Sequence, residues 1–419
     1  MDSSRIEDVI GEFILLKKHG ANLVGICPFH GGRTPSLYVS PQKGIFKCFT
    51  CGEGGDVIAF LKKYKNYNFV ESINWLANKY NISLDGNDES ENIVFIDTEV
   101  GVDRQKVQDY GAVRGDGAVL HTQSAQEFRS FVSTCNTLCG HNIINHDLKY
   151  LQLSGDFTVI DTLPLSPLLF PRKPYHRLLK DDKLQVDELN NPVNDAKKAH
   201  ALFYDELEAW RLLPPERREI YSSLLQGTKE FGGFFDYIET AKTPRANQSI
   251  GALIRREYHG MICENANIEV VVKHYPVELA YSLALIGADD MTSITPAWVM
   301  HSYPKVVNVM NFLRNTPCGQ CEYCKQQLDA HSGLRDFFGY DEFRQFDGIP
   351  MQQQAVEAAI RGESLLTIFP TGGGKSLTFQ LPALMAGRNI HGLTVVISPL
   401  QSLMKDQEII LPSMVLVTL

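Results

Sequence analysis

Three groups of side chains in this 419-residue sequence have types and spacings suited to chemistry. The first is Cys27-Pro28-Phe29-His30 together with Cys48-Phe49-Thr50-Cys51. Each pair is spaced by two residues and fits a tight knuckle. Cys27, His30, Cys48 and Cys51 can therefore close a tetrahedral Zn²⁺ site with no open position, which makes the site structural. The second group, Cys318-Gly319-Gln320-Cys321-Glu322-Tyr323-Cys324, places three thiols at two-residue gaps. Three thiolates need a fourth ligand, and His331, His301 and Cys263 are candidates. Zinc is the first expectation and an iron–sulfur cluster the alternative. Six of the nine cysteines fall in these groups, and an odd total with this spacing favours metal sites over disulfides. The third group is acidic. Ile93-Val94-Phe95-Ile96-Asp97-Thr98-Glu99 reads as a buried strand ending in acids at i and i+2, on one face, where they can share a cation. Asp147 and Asp195 offer further carboxylates. Mg²⁺ or Mn²⁺ held by such a set would activate a water and stabilise a leaving oxygen in phosphodiester cleavage.

A fourth feature binds phosphate. Phe369-Pro370-Thr371-Gly372-Gly373-Gly374-Lys375-Ser376 lines backbone N–H groups along phosphates, brings the Lys375 ammonium to the β/γ oxygens and offers the Ser376 hydroxyl to Mg²⁺. ATP is the expected cofactor there.

The elements that must position these groups can be read around them. Pro35–Val39 and Gly44–Cys48 alternate as paired strands between the first two ligand pairs. Gly86–Asn92 is a polar linker. Ser364–Phe369 reads as a buried strand entering the glycine-rich loop, and a helix begins at Leu377. In the mostly helical stretch between, Trp210, Tyr221, Leu224, Phe231 and Tyr237 recur at loosely helical spacing and are expected in a core. The expected organisation is multidomain α/β: a zinc module over 1–85, an acidic domain over 92–210, a helical connector with the cysteine cluster over 211–332, and a phosphate-binding lobe over 333–419. The net charge of −9 excludes a blanket nucleic-acid coat but allows local basic patches. No apolar run is long enough for a membrane span, and the N-terminus is no signal peptide, so no membrane partner and a cytoplasmic address are expected.

The first module closely resembles the zinc-binding domain of DnaG-type bacterial primases, through Cys-Pro-Phe-His, Thr34-Pro35-Ser36, and Cys-Phe-Thr-Cys-Gly followed by Gly55-Asp56-Val57-Ile58-Ala59-Phe60. The resemblance implies contact with single-stranded DNA, for which Lys43, Phe46, Lys47 and Tyr38 supply charge and stacking. Asp97, Glu99, Asp147 (in Gly140–Leu151, on an expected helix) and Asp195 resemble the metal ligands of the DEDD superfamily of 3′–5′ exonucleases. That resemblance implies an RNase H-like fold. The family's general base is missing, because Asn190 and Asn191 hold the His and Tyr positions; either His176 takes that role or the fold keeps the metal ligands with weakened chemistry. The segment Phe337-Phe338-Gly339-Tyr340…Phe343-Arg344, the glycine-rich loop and Ser398-Pro399-Leu400 resemble the opening of RecQ-family DNA helicases. This implies an incomplete first RecA-like lobe in which Gln352 seats the adenine, Thr371 to Ser376 hold the phosphates, and Ser398 and Pro399 meet the DNA backbone. Only residues 377–419 follow the loop, so the acidic metal motif and second lobe of a motor are not expected, nor is ATP turnover. Together these resemblances imply a DNA-processing protein acting on single-stranded or partly duplex DNA: part of a RecQ-like helicase carrying an exonuclease domain. A non-catalytic DNA-binding fragment and a primase-related replication factor are the alternatives.

Overall fold

The computed structural model of the chain describes residues 6–31, 34–67, 69–80, 92–101, 106–153, 155–173, 175–178, 191–238, 249–288, 295–370, 372–392 and 394–397. Its contacts divide it into two units, Met1–Phe170 with His176–Pro244, and Pro171–Tyr175 with Arg245–Leu419.

In the first unit, β1 (Lys17–His19), β2 (Asn22–Ile26), β3 (Pro35–Ser40), β4 (Ile45–Cys48) and β5 (Gly54–Gly55) form an antiparallel ribbon in sequence order. Alternation decides its inner face. Leu37 pairs with Cys48 and Val39 with Phe46, and all four are buried. They pack with Ile6 and Ile10 of α1 (Ile6–Gly11) and Phe60 of α2 (Val57–Tyr64). Asp56 caps α2 by accepting the Ala59 N–H at 2.8 Å, a contact worth about 1 kcal/mol. α3 (Phe69–Tyr80) follows. Lys62 of α2 also holds Asp205, at 2.7 Å.

The second sheet has the order β10-β9-β6-β7-β8. Its centre, β6 (Ile93–Val100), runs antiparallel to β7 (Val107–Arg114), which pairs with β8 (Val119–Thr122). On its other side β6 runs parallel to β9 (Thr137–Gly140), and β9 runs parallel to β10 (Thr158–Asp161). Ile93 to Ile96 are all buried, as a central strand covered on both faces requires. Val94 and Ile96 face a core shared with Phe128 and Val132 of α4 (Ala125–Val132). Phe95 points the other way, against His200, Phe203 and Tyr204 of α6 (Pro192–Leu212). α5 (Thr162–Leu169) leaves β10; α7 (Pro215–Leu225) and α8 (Gly232–Tyr237) complete the unit. Helix α8 packs so close to β10 that a Cβ on Gly233 would lie 2.0 Å from the Val159 carbonyl oxygen. Trp210, Tyr221, Leu224 and Phe231 are buried, and Tyr237 packs on Phe203 at 5.3 Å.

The second unit is helical in its described residues: α9 (Ile250–Glu257), α10 (Ile268–His274), α11 (Pro276–Gly287), α12 (Ala297–Ser302), α13 (Val306–Arg314), α14 (Glu322–Gln327), α15 (Ala330–Phe338), α16 (Met351–Ile360) and α17 (Leu377–Ile390). Leu334, Phe343, Val356, Leu381 and Met385 form a core joining α15, α16 and α17. The strand expected at Ser364–Phe369 is not formed. That segment is irregular, with Leu366 88% and Ile368 78% exposed. A buried strand needs hydrogen-bonded neighbours, and the described part of this unit contains no strand, only a bridge between Phe346 and Ile349. The helix expected after the loop does form, as α17. No helix among the described residues is long and apolar enough to cross a membrane.

Candidate metal centres and nucleic-acid face

The ribbon gathers Cys27, His30, Cys48 and Cys51, whose ligand atoms lie within 4.8 Å of one another. Cys27 and Cys51 sulfurs are 3.8 Å apart. Four ligands at about 2.3 Å from a tetrahedral Zn²⁺ have sulfurs about 3.8 Å apart, so the set fits one closed ion. Ser36 sits between two ligands: its hydroxyl is 3.2 Å from His30 Nε2 and accepts from the Cys48 thiol at 3.5 Å. Burial opposes a thiolate at Cys48, but the Cys51 N–H, the Ser36 hydroxyl and the Thr50 N–H outweigh it and bring that thiol down to about 5. Burial pushes Cys27 up to about 12. Negative charge therefore collects at Cys48 before Cys27, whose thiolate a bound cation would stabilise.

The ribbon's outer face is basic and aromatic. Register places Lys17, Val24, Tyr38 and Lys47 in one cross-strand row. His19 and Phe49 meet the Tyr38 ring edge-on, at 5.6 and 5.3 Å. Lys43 is exposed in the turn after β3. Phe46, expected to stack on nucleic acid, is only 2% exposed and packs between Phe29 and Phe60. It shares the inward parity of the ligand Cys48. The available ring is Phe49, 75% exposed.

In the second unit Cys263 joins Cys318, Cys321 and Cys324, with all four sulfurs within 4.8 Å. Cys263 is thus the fourth ligand; His331 instead packs its ring on Phe343. The Cys263–Cys321 sulfur separation of 3.9 Å is again that of one tetrahedral ion, leaving no room for a cluster of several irons. The Cys321 and Gln320 N–H groups bring the Cys318 thiol down to about 6, while burial pushes Cys263 up to about 11 and Cys324 higher still.

The carboxylates divide by strand parity. Asp97 and Glu99 share the face of Phe95, where α6 lies, and Asp195 in the first turn of α6 joins them within 4.8 Å. The helix N-terminus favours negative charge there. Asp147 stands apart from this trio. It belongs to a single 3-10 turn, Asp147–Lys149, rather than to an α-helix. Its Oδ1 accepts from the Thr98 N–H at 2.8 Å and the Thr98 hydroxyl at 2.7 Å, and Thr98 points away from the face of Asp97 and Glu99. The Asp147 carboxylate, 3.6 Å from His146 Nδ1, raises that imidazole's pKa, and Glu99 adds to the effect. His176 is buried, with Nδ1 2.9 Å from the Ser166 hydroxyl, beside His141 and outside the trio. Sequence reasoning missed Asp161. It accepts N–H groups from Asn142, Ile144 and Leu163 at 2.8, 3.2 and 3.0 Å and so shapes the turn that carries Asp147. An acid ending the apolar run Val159-Ile160 was the available signal.

In the glycine-rich loop, Gly372 and Gly374 have φ of +78° and +72°, which side chains rarely adopt. Gln352 is buried with both ends of its amide engaged: Oε1 accepts from the Arg344 N–H at 2.9 Å and Nε2 donates to the Gly374 carbonyl at 3.0 Å. Arg344 donates to Gly372 O at 2.7 Å and Lys375 to Phe369 O at 3.3 Å. The expected adenine contact thus fastens the loop in this structure. Gly373 and Ser376 complete the described loop; Thr371, Ser398 and Pro399 lie outside the described residues.

Residues 1–92 match the DnaG-type zinc-ribbon family, described as CHC2 zinc finger, and residues 349–414 match the DEAD/DEAH box helicase family. Similar proteins include the DNA primase of Clostridium acetobutylicum, 50% identical over 86 residues, covering 20% of this chain and 14% of that protein. The DNA primase of Halalkalibacterium halodurans is 49% identical over 79 residues, covering 19% and 13%. The crystal structure of the Aquifex aeolicus primase (zinc-binding and RNA polymerase domains) aligns at 43% identity over 22% of this chain and 23% of that one, with a TM-score of 0.20. The matched part thus spans about one seventh of the curated primases. The N-terminal module is a zinc ribbon of the primase type, and it fits a chain that processes DNA.

Proposed function

We propose that the chain is a primase-related DNA-processing protein that holds single-stranded DNA on the outer face of its zinc ribbon. The carrying observation is the row of Lys17, Tyr38 and Lys47 with the exposed Phe49 ring beside it. Lysines there neutralise phosphates, and stacking on an exposed ring is worth about 1–3 kcal/mol per base whatever the sequence. Fluorescence anisotropy with a labelled oligonucleotide tests this. Phe49→Ala and Lys47→Ala should each weaken binding to single strands; binding equal to the unmodified chain would sink the proposal. Ribonucleotide incorporation on a single-stranded template tests whether primer synthesis accompanies binding.

A second reading concerns the carboxylates. Asp97, Glu99 and Asp195 on one face, with β6 flanked by antiparallel β7 and parallel β9, support an RNase H-like, metal-dependent 3′–5′ exonuclease. Mg²⁺ or Mn²⁺ held there would activate water and stabilise the leaving oxygen. The protein's part is to hold three oxygens on a rigid strand and helix. Cleavage of 5′-labelled single-stranded DNA with Mn²⁺, lost in Asp97→Asn, is the expected result. For the C-terminal segment, the glycine-rich loop with Lys375 and Gln352 supports ATP binding of the helicase type, with RecQ proteins as the finer assignment.

A further inference from the structure

We infer that Gly111 positions the carboxylate centre: lacking a side chain, it lets the first turn of α6 seat directly on β7, and that seating delivers Asp195 to Asp97 and Glu99. The inference rests on reading these three carboxylates as a divalent-cation site. Gly111 is the register partner of Asp97 across the β6–β7 pair. A Cβ added there would lie 2.2 Å from Pro192 C, 2.3 Å from Val193 N and 2.5 Å from Pro192 O. All three are backbone atoms, so no flexible side chain can move aside. The Gly111 backbone is not in the left-handed region, so glycine is required by close approach and not by conformation.

The chain makes that approach at the residues that start the helix. Asn191 caps α6, its Oδ1 accepting the Val193 N–H at 3.0 Å; Pro192 occupies the first turn and Asp195 follows within it. Restoring ordinary contact to a Cβ would lift this turn by about 1 Å, and a supporting shell loosened by that much is enough to spoil a coordination site. Asp97 and Glu99, fixed on the central strand, would stay in place while Asp195 moved away.

The test measures Mn²⁺ affinity of the full chain by electron paramagnetic resonance, with circular dichroism and zinc content reporting the fold. Gly111→Ala should raise the Mn²⁺ dissociation constant on the order of tenfold or more, the size expected for a lost supporting contact. Gly233→Ala is the control, because it places a Cβ against backbone in the same sheet but at β10. It should lower the melting temperature comparably and leave Mn²⁺ affinity within about twofold, well under the losses that supporting contacts cause. Equal affinity in Gly111→Ala and the unmodified chain, or an equal loss in Gly233→Ala, overturns the inference. If Gly111→Ala does not fold, Asn191→Ala loosens the same turn with Gly111 intact and should weaken Mn²⁺ several-fold; no change there also overturns it. Mn²⁺ binding unaltered by Asp97→Asn would instead remove the cation reading itself, and the inference with it.

Discussion

The zinc ribbon and the carboxylate centre hold their charges by opposite means. The ribbon's four ligands lie between residues 27 and 51, on knuckles of a sheet whose small core includes two of those ligands, Cys27 and Cys48. The carboxylate centre draws Asp97 from β6 and Asp195 from α6, on a sheet packed by its own aromatic and aliphatic core on both faces. On the proposed reading, zinc would supply much of the stability of the first region. The second is packed by its own core, and a cation held by its carboxylates would report how accurately that core places them.

That contrast can be broken most decisively at the ribbon. Stripping zinc, or Cys48→Ser, should unfold the ribbon outright and abolish single-strand binding, since structural zinc supplies about 10–16 kcal/mol in small zinc domains. Circular dichroism and anisotropy would register this; a ribbon that survives chelation would erase the distinction. Next in size, Asp97→Asn should remove Mn²⁺ binding and Mn²⁺-dependent cleavage while leaving the melting temperature nearly unchanged, a dissociation the ribbon cannot show. Cys263→Ser should lower zinc content by one equivalent by atomic spectroscopy, with the ribbon's own ion retained. Smaller is a pH effect at Asp161, whose carboxyl burial pushes from 3.8 up to about 6. The folded chain keeps that proton to higher pH than the unfolded chain. Its contribution is therefore full below about pH 4 and is lost as pH rises through about 6, on the order of 3 kcal/mol. Asp161→Asn should flatten the stability slope across that window in denaturant titrations.

How much of this was legible depended on the range of the contact. The four ribbon ligands and both flanking strands follow from local spacing, because a knuckle and a hairpin are local objects. Asp97 and Glu99 follow from the period of a strand. The same period also separates Phe46 from Lys47, since the ligand Cys48 fixes which parity faces inward, and it separates Asp147 from the trio through Thr98. Cys263 could be named only among alternatives, because 54 residues (264–317) divide it from Cys318 and nothing local selects it over His331. The apolar run at Ser364–Phe369 predicted a strand, yet periodicity cannot say whether a neighbour exists to pair with it. Gln352 was placed by resemblance at a nucleotide's base, whereas its amide geometry became visible only with Gly374 and Arg344 in position.

The ion pair between Lys62 and Asp205 gives helix α6 a second meaning. One and the same helix touches the ribbon's α2 at Asp205 and carries Asp195 to the carboxylates. At 1.5 Å of rise per residue, these two points lie about 15 Å apart along a continuous rod. The spacing between Asp205, where Lys62 attaches, and Asp195 is thus a fixed length of hydrogen-bonded backbone, a gauge built into one helix.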